Sequence, residues 1–275
     1  MTVGPVKLEY SADPGNKISG QLFLMNETAE DASFWPVFEK FTENNGERQF
    51  FPTEETELKN WFKAEYPITL KSKEQRMVPF TIDVPNDASP GGHFAVIWWS
   101  TAPPGENGQN VAVVTRAGIL VYLRVSGDIE ESAEIYSFNS NGRFFWSLPI
   151  SFNTAFKNNG NVHLKPQGEI KIKNLFGMTK TALKFNPYGM IILPQSSRDI
   201  VSSWDSGFAF GPYNADIQLV YGESKKQISR NLWVFIFPWK VSVAVIIGLL
   251  LVFFGIPALI KRYNKWIIGR AQSRA

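Results

Sequence analysis

The residues that most constrain this chain are Val241 to Ile260, twenty consecutive residues without a charged side chain. As an α-helix at about 1.5 Å per residue they span roughly 30 Å, the hydrocarbon thickness of a bilayer. A buried helix of a large core is the alternative interpretation, but such helices are usually shorter and carry polar positions. We therefore predict a single transmembrane helix over residues 239–262 and a short basic tail over residues 263–275.

Aromatic and basic residues flank this span on both sides. Aromatic rings and long basic side chains settle at the headgroup level of a bilayer, so these flanks agree with a membrane helix. The residues that we predict at the membrane interface are Trp239, Lys261, Arg262, Tyr263 and Trp266.

Flanking Lys and Arg residues predict the orientation of the span. The fifteen residues after it carry five, and the twenty residues before it carry four. The positive-inside rule favours a cytoplasmic tail and a large region outside the cell. Export of that region ordinarily requires a signal peptide, and the opening MTVGPVKLEY has no apolar core, so we expect either an upstream segment or a cytosolic tail-anchored chain.

The net positive charge of the chain comes from its C-terminal tail. Of 28 Lys and Arg residues five lie after the span, which leaves 23 bases against 25 acids in the large region. A near-neutral region of this kind gives no support to nucleic-acid binding. Cysteine is absent, which excludes disulfides, zinc–thiolate sites and thiol nucleophiles.

Strand patterns dominate the large region. Runs of five to ten apolar or alternating residues are bounded by Gly, Pro, Asn and Asp, for example KISGQLFLMN, MVPFTIDVP, HFAVIWWS, GEIKIKN and ADIQLVYG. The helical pattern is TEETELKNWFKAE, which predicts a short helix near 54–63 that crosses between two sheets. We predict an all-β fold of two tandem immunoglobulin-like β-sandwiches, residues 1–127 and 128–238, followed by the transmembrane helix.

A weak internal repeat supports two copies of one architecture. In the first half a strand ends at Asn26, and LKSKEQRMVPFTI and SPGGHFAVIWW follow; in the second half a strand ends at Asn158, and LPQSSRDIV and FGPYNADIQLVYG follow. Tyr213 stands two residues before Ala215, the spacing of a tyrosine corner, and Phe94 is at a similar corner of the first domain without the hydroxyl.

The first domain resembles a known family. YSADPGNKISGQLFLMNET, the Asn-Gly hairpin of ENNGERQFF and the loop VPNDASPGG are similar to the N-terminal peptidoglycan-binding domain of the WxL-interacting surface proteins of Gram-positive bacteria. The resemblance covers about residues 5–135 in motifs and the rest in layout. It implies an anchored protein whose first domain holds cell wall and whose second domain binds a partner protein.

Exposed aromatic rings are the binding candidates. Adjacent strand residues face opposite sides, so Trp98 and Trp99 cannot both lie in one core, and Phe34 and Trp35 diverge in the same way. An exposed ring stacks on sugars or anchors a protein partner, although coverage of both sheet faces is the alternative. The loop over residues 101–110 is the next candidate. The predicted binding residues are Trp35, Trp98, Trp99, Pro103, Pro104 and Asn107.

Enzyme chemistry has little support in the sequence. His93 and His163 are the two histidines, and we expect both to be structural; no nucleophile elbow or phosphate-binding glycine loop is present. An interdomain calcium site at Asp128, Glu130 and Glu131 is a weak alternative to a solvated linker. We expect no enzyme activity and no cofactor.

We therefore expect a single-pass cell-membrane protein that attaches to cell-wall glycan, to a surface protein partner, or to both. The alternative is a cytosolic tail-anchored Ig-like adaptor. The oligomeric state of the protein is open. Ala244 and Gly248 are two small residues at a spacing that lets helices approach closely, but such pairs are also common by chance.

Overall fold

The computed structural model describes residues 1–52, 56–103, 114–205 and 207–272, with the side chains excepted at 240–242 and 265–272. Strands and one C-terminal helix account for most of the described chain, as the sequence predicts. The predicted loop residues Pro104 and Asn107 lie outside the described residues.

The first domain consists of two sheets that pack face to face. One has the strand order β1-β3-β8-β6, and the other has the order β2-β10-β9-β4-β5 with β7 paired to β4. Its core includes Leu22, Phe34 and Val121, all 1% exposed or less. The strands are β1 (Thr2–Gly4), β2 (Lys7–Ala12), β3 (Lys17–Met25), β4 (Ala32–Asn44), β5 (Glu47–Phe51), β6 (Phe62–Ala64), β7 (Ile68–Leu70), β8 (Gln75–Asp83), β9 (Gly91–Ser100) and β10 (Arg116–Val125).

The second domain is a smaller sandwich with its own core. A sheet of order β11-β13-β16 packs on one of order β12-β18-β17-β14-β15, and Phe152, Ile170 and Ile217 are fully buried between them. The strands are β11 (Ala133–Ser140), β12 (Phe144–Phe145), β13 (Ile150–Asn158), β14 (Gln167–Asn174), β15 (Thr179–Phe185), β16 (Ser197–Trp204), β17 (Gly211–Tyr221) and β18 (Lys226–Ile236).

The predicted short helix is one turn long. Helix α1 covers Leu58–Trp61, and residues 53–55 lie outside the described chain. The helical pattern stops because Phe62 enters β6 and pairs with Ile82 of β8, so sheet pairing overrides the local preference. The segment does cross between the two sheets of the first domain, from β5 in the sheet that contains β9 to β6 in the sheet that contains β8.

The internal repeat is structural. Asn26 directly follows β3 and Asn158 is the last residue of β13; these strands pair with β8 and β16. Both side chains are fully buried and donate to backbone carbonyls: Asn26 to Leu70 and Lys71, and Asn158 to Val162 and Ile192. Each asparagine therefore closes the end of its sandwich in the same way.

The two predicted corners have different outcomes. Tyr213 lies at the start of β17, is 7% exposed, and its phenol oxygen accepts the backbone N–H of Phe210 at 3.5 Å. Phe94 makes no such corner; it lies on the outer face of β9 against Tyr122 and His163, at centroid distances of 5.9 and 5.8 Å. That prediction was wrong because Phe94 packs between the domains.

The chain ends in one long helical segment. Helix α2 (Trp239–Leu250) continues through a π-helical turn (Leu251–Gly255) into α3 (Ile256–Gln272). Within it, Val243–Asn264 is long and apolar enough to cross a membrane, with a mean hydropathy of 2.9 and no burial against the rest of the protein. Two residues, 237 and 238, separate the start of α2 from the end of β18.

Candidate functional site

Trp98 and Trp99 lie on opposite faces of β9. Trp99 is fully buried in the first core, whereas Trp98 is half-buried on the outer face of the larger sheet. Trp99 offers no surface to a ligand, so its prediction as a binding residue was wrong: the alternation of the strand points it into the core. Trp98 is the member of the pair that can meet a partner.

Trp98 is held in a fixed position by its neighbours. Its indole Nε1–H donates to Glu39 Oε2 at 2.8 Å, and Arg116 Nη1 lies 3.5 Å from Glu39 Oε1. The ring of Phe50 meets the indole edge-on, with centroids 5.2 Å apart. We call Trp98, Phe50, Glu39, Arg116 and Gly118 the Trp98 platform.

Gly118 makes the platform geometrically possible. A Cβ atom at this position of β10 would lie 2.7 Å from the six-membered ring of Trp98, closer than van der Waals contact allows. The indole therefore lies across the β10 backbone itself. A glycine inside a strand commonly marks such a close approach.

Trp35 shares the outer face with Trp98. Trp35 pairs with Ser100 and Val37 pairs with Trp98, so the two indoles are diagonal neighbours on one side of the sheet. Trp35 and Pro103 are both half-buried. The structure thus brings Trp35 and Trp98 together, and Pro103 follows three residues after Ser100.

The outer edge of β10 is paired along six of its ten residues. Strand β9 pairs with all of Arg116–Val125, but β2 pairs in parallel only from Leu120 to Val125. Among the described residues, Arg116–Ile119 has no partner strand on that side. Leu120 donates its N–H to Val6 on the same side, and strand groups alternate, so the N–H groups of Arg116 and Gly118 face the open edge.

The other half of the outer face is covered by the second domain. Ile191 and Leu193 pack on Phe41 and Tyr122 in a buried cluster that joins the domains. Arg198 donates to Glu43 at 2.9 Å, where burial raises the pKa of the Glu43 carboxyl although two arginines oppose the shift. The exposed part of the face therefore ends at the platform.

Glu131 ties the linker to both domains. One carboxylate oxygen accepts from Arg124 of β10 at 2.7 Å and from the backbone N–H of Glu223 at 2.9 Å, and the other accepts from Ser224 at 3.1 Å. Burial alone acts to raise the pKa of Glu131, but these donors outweigh it and lower the pKa to about 2. The side chain is 2% exposed.

The calcium hypothesis does not fit these contacts. Both oxygens of Glu131 are taken by protein donors, and the backbone carbonyl of Asp128 accepts from Asn161 at 2.9 Å. Glu130 donates its N–H to the same Asn161 side chain. Within the described chain, no three His, Asp or Glu side chains are placed to hold a metal ion.

The histidines are structural. His93 Nδ1 lies 2.7 Å from Glu57, and its Nε2 lies 2.8 Å from the Ser89 carbonyl. His163 lies between the domains, 3.4 Å from Glu9. Burial lowers the pKa of His163 although the Glu9 carboxylate opposes the shift, and its Nδ1 is buried without a partner.

The predicted membrane-interface residues lie at the two ends of the apolar helix. Trp239 begins α2, and Lys261, Arg262 and Tyr263 lie on α3. At about 1.5 Å per residue, Trp239 and Tyr263 are roughly 36 Å apart along the axis, which matches the distance between two headgroup regions. Trp266 belongs to α3, but its side chain lies outside the described part of the chain.

Comparison with known proteins gives distant structural similarity only. No family model matches the chain. No curated protein matches it either. The chain is similar to the class 5 fimbriae chaperone CfaA at a TM-score of 0.44 and 13% identity, over 85% of this chain and 98% of that one.

Two further solved structures show the same level of similarity. The E. coli chaperone DraB has a TM-score of 0.38 and 11% identity, over 86% of this chain and 96% of that one. The Pseudomonas aeruginosa chaperone CupB2 has a TM-score of 0.37 and 8% identity, over 85% of this chain and 100% of that one. At these values the similarity assigns neither a family nor a function.

Four platform residues have no counterpart among the sequence predictions: Phe50, Glu39, Arg116 and Gly118. Glu39 carries a usable signal, since it is an acid that directly follows the apolar run of residues 34–38 within one strand. Gly118 carries another, as a glycine within an apolar run. Phe50 and Arg116 have no such signal because their role depends on strand pairing across the sheet.

Proposed function

We propose that this protein is a membrane-anchored, extracytoplasmic binding protein whose first domain takes up a partner protein by strand addition beside Trp98. The open Arg116–Ile119 edge carries this proposal. An extended segment that pairs there satisfies the free N–H and C=O groups of β10, and the platform next to it supplies an aromatic contact for side chains. No enzyme activity is part of the proposal.

Anchoring is supported by the apolar helix and by the environment of the flanking bases. Before the span, Arg230 donates to the carbonyls of Ile135 and Tyr136, and Lys226 donates to that of Glu131. These two bases belong to the folded second domain and not to the membrane surface. The five bases after the span then dominate the positive-inside comparison, which favours a cytoplasmic tail.

A backbone donor on the open edge provides the test of strand addition. Replacing Arg116 with Pro removes an N–H that faces the open edge and leaves the β9 ladder intact. Arg116→Ala keeps the N–H and also loses the side-chain contact with Glu39, so the two variants differ in the backbone donor. We expect Arg116→Pro to lose partner capture at least tenfold and Arg116→Ala to retain most of it.

Capture can be read by crosslinking because the chain has no cysteine. The full chain with Thr115→Cys, labelled with a benzophenone and reconstituted in nanodiscs, is mixed with extracytoplasmic proteins of the source cells. A discrete adduct that Arg116→Pro abolishes is expected, and the exposed Lys17→Cys, at the opposite end of the domain, is the control. Equal adducts from both Arg116 variants, or from both cysteine positions, contradict strand addition.

Cell-wall glycan is the second candidate, and the shared face of Trp35 and Trp98 favours it. Two half-exposed indoles as diagonal neighbours offer stacking surfaces to successive sugar rings. Sedimentation with insoluble peptidoglycan compares the wild type with Trp98→Ala and Trp35→Ala. Binding that falls in both variants supports the wall, and binding that is absent or unchanged excludes this face.

A further inference from the structure

Exposed apolar side chains gather at one end of the second domain. They come from three separate segments: β12 with the loop after it, the β14–β15 turn, and the loop before β17. All are more than half exposed, with Phe176 at 83% and Phe144 at 70%. We call this group the apolar rim; it consists of Phe144, Trp146, Leu175, Phe176, Phe208 and Phe210.

Strand register places the rim at the start of the C-terminal helix. Ile236, the last residue of β18, pairs with Gly211 and with Phe145, so the residues beside them adjoin the helix. Phe237 donates its N–H to Phe145 at 2.8 Å, and its ring meets that of Phe210 at 5.8 Å. Asn174 pairs with Tyr213, so the turn after it extends toward the same end.

The opposite end of the domain has a different surface. Its turns face the first domain and carry polar and charged groups such as Glu223, Lys225 and Gln195. Tyr188, at 88% exposure, is the large aromatic residue exposed in those turns. The apolar character is therefore specific to the end next to the helix, and an exposed group of this size indicates an interaction surface.

Chain length sets how far the rim lies from the bilayer. Residues 237 and 238 reach at most about 7 Å, and the four helical residues before Val243 add roughly 6 Å. A headgroup region is about 5–7 Å thick, so the rim cannot be held far above it. Aromatic side chains are favoured at that depth.

We propose that the apolar rim inserts into the headgroup region and seats the second domain directly on the membrane. The proposal rests on the membrane anchoring proposed above. Seating at three segments in addition to the helix fixes the height and tilt of the domain. Because the first domain is joined to the second through the buried cluster of Phe41, Tyr122 and Ile191, its binding face is held at a set distance from the bilayer.

Nitroxide depth measurements test this proposal on the full chain. Single-cysteine variants Phe176→Cys and Phe208→Cys report on the rim, Tyr188→Cys is an aqueous aromatic control, and Leu250→Cys marks the span. The labelled protein is reconstituted in vesicles of phosphatidylcholine and phosphatidylglycerol. Collision rates with oxygen and with a water-soluble nickel chelate then give the depth of each label.

We expect the labels at 176 and 208 to be at least threefold less accessible to nickel than the label at 188, with oxygen accessibility retained. Nickel accessibility equal to that at 188, with position 250 reading as bilayer core, overturns the seating and leaves the anchoring intact. Shielding of 176 and 208 from both reagents indicates a protein contact and also overturns it. An aqueous reading at 250 overturns the anchoring itself.

Discussion

Replacement of Glu131 by Gln tests how the two domains are joined. The substitution keeps the size of the side chain and removes its charge. In the native protein the carboxylate accepts from Arg124, from Glu223 and from Ser224, and Gly222, at a φ of +72°, lets it come this close: a Cβ there would lie on the carboxylate. Gln offers one acceptor oxygen, so donors that are now satisfied lose their partner.

The pKa of Glu131 sets the size of the effect. Folding lowers this pKa from 4.5 to about 2, a difference of roughly 2.5 units. That difference corresponds to about 3 kcal/mol of folding free energy at pH 7. Because the folded pKa is depressed, this stability is present above pH 4.5 and is lost as the pH falls toward 2. At pH 3 about 1.4 kcal/mol remains.

Urea unfolding of the full chain in detergent, followed by tryptophan fluorescence, measures the effect. We expect Glu131→Gln to lower the free energy of unfolding by about 2–3 kcal/mol at pH 7 and by about half as much at pH 3. Glu134→Gln is the matched control, since Glu134 is half exposed and its change stays within about 0.5 kcal/mol. A deficit below about 0.5 kcal/mol at pH 7, or one that does not change with pH, refutes the reasoning.

Three further substitutions give sharp expectations in the same unfolding assay. Asn158→Ala removes a buried donor to the Val162 and Ile192 carbonyls and the acceptor of the Gly160 N–H, and it costs about 2–3 kcal/mol. The exposed Asn153→Ala costs less than about 0.5 kcal/mol. In the wild type the pKa of His163 is lower in the folded protein than in the unfolded chain, so the free energy of unfolding decreases as the pH falls through 6.5. His163→Gln removes this decrease, and equal pH profiles of variant and wild type contradict the expectation. Gly118→Ala forces the Trp98 indole to move and costs about 1–3 kcal/mol, and most of that cost disappears in a Trp98→Ala background; additive losses contradict the close contact.

Local pattern predicts the elements that depend on neighbours in sequence. The strand runs, the apolar span and the two closing asparagines, Asn26 and Asn158, are read from period and turn chemistry, and the structure contains all of them. The alternation of Trp98 and Trp99 is also correct. Which of the two points inward is not set by alternation, because that depends on the side from which the second sheet covers β9.

Features that depend on distant contacts are not available from the sequence. Phe94 fits a corner pattern equally well, but Tyr122 and His163 draw it into the interdomain contact. The acids of the linker read as a solvated or metal-binding segment, yet Glu131 is buried by a turn more than ninety residues later. The half-open edge of β10 depends on where β2 begins to pair, which no local pattern records.

Substituted-cysteine labelling tests the central claim, an anchored protein with both sandwiches outside the cell. The chain has no cysteine, so Lys71→Cys in the first domain and Ser273→Cys in the tail each report one side of the membrane. In intact cells a membrane-impermeant maleimide is expected to label position 71, and position 273 only after permeabilisation. Labelling of 273 with protection of 71 contradicts the account and favours a cytosolic tail-anchored adaptor.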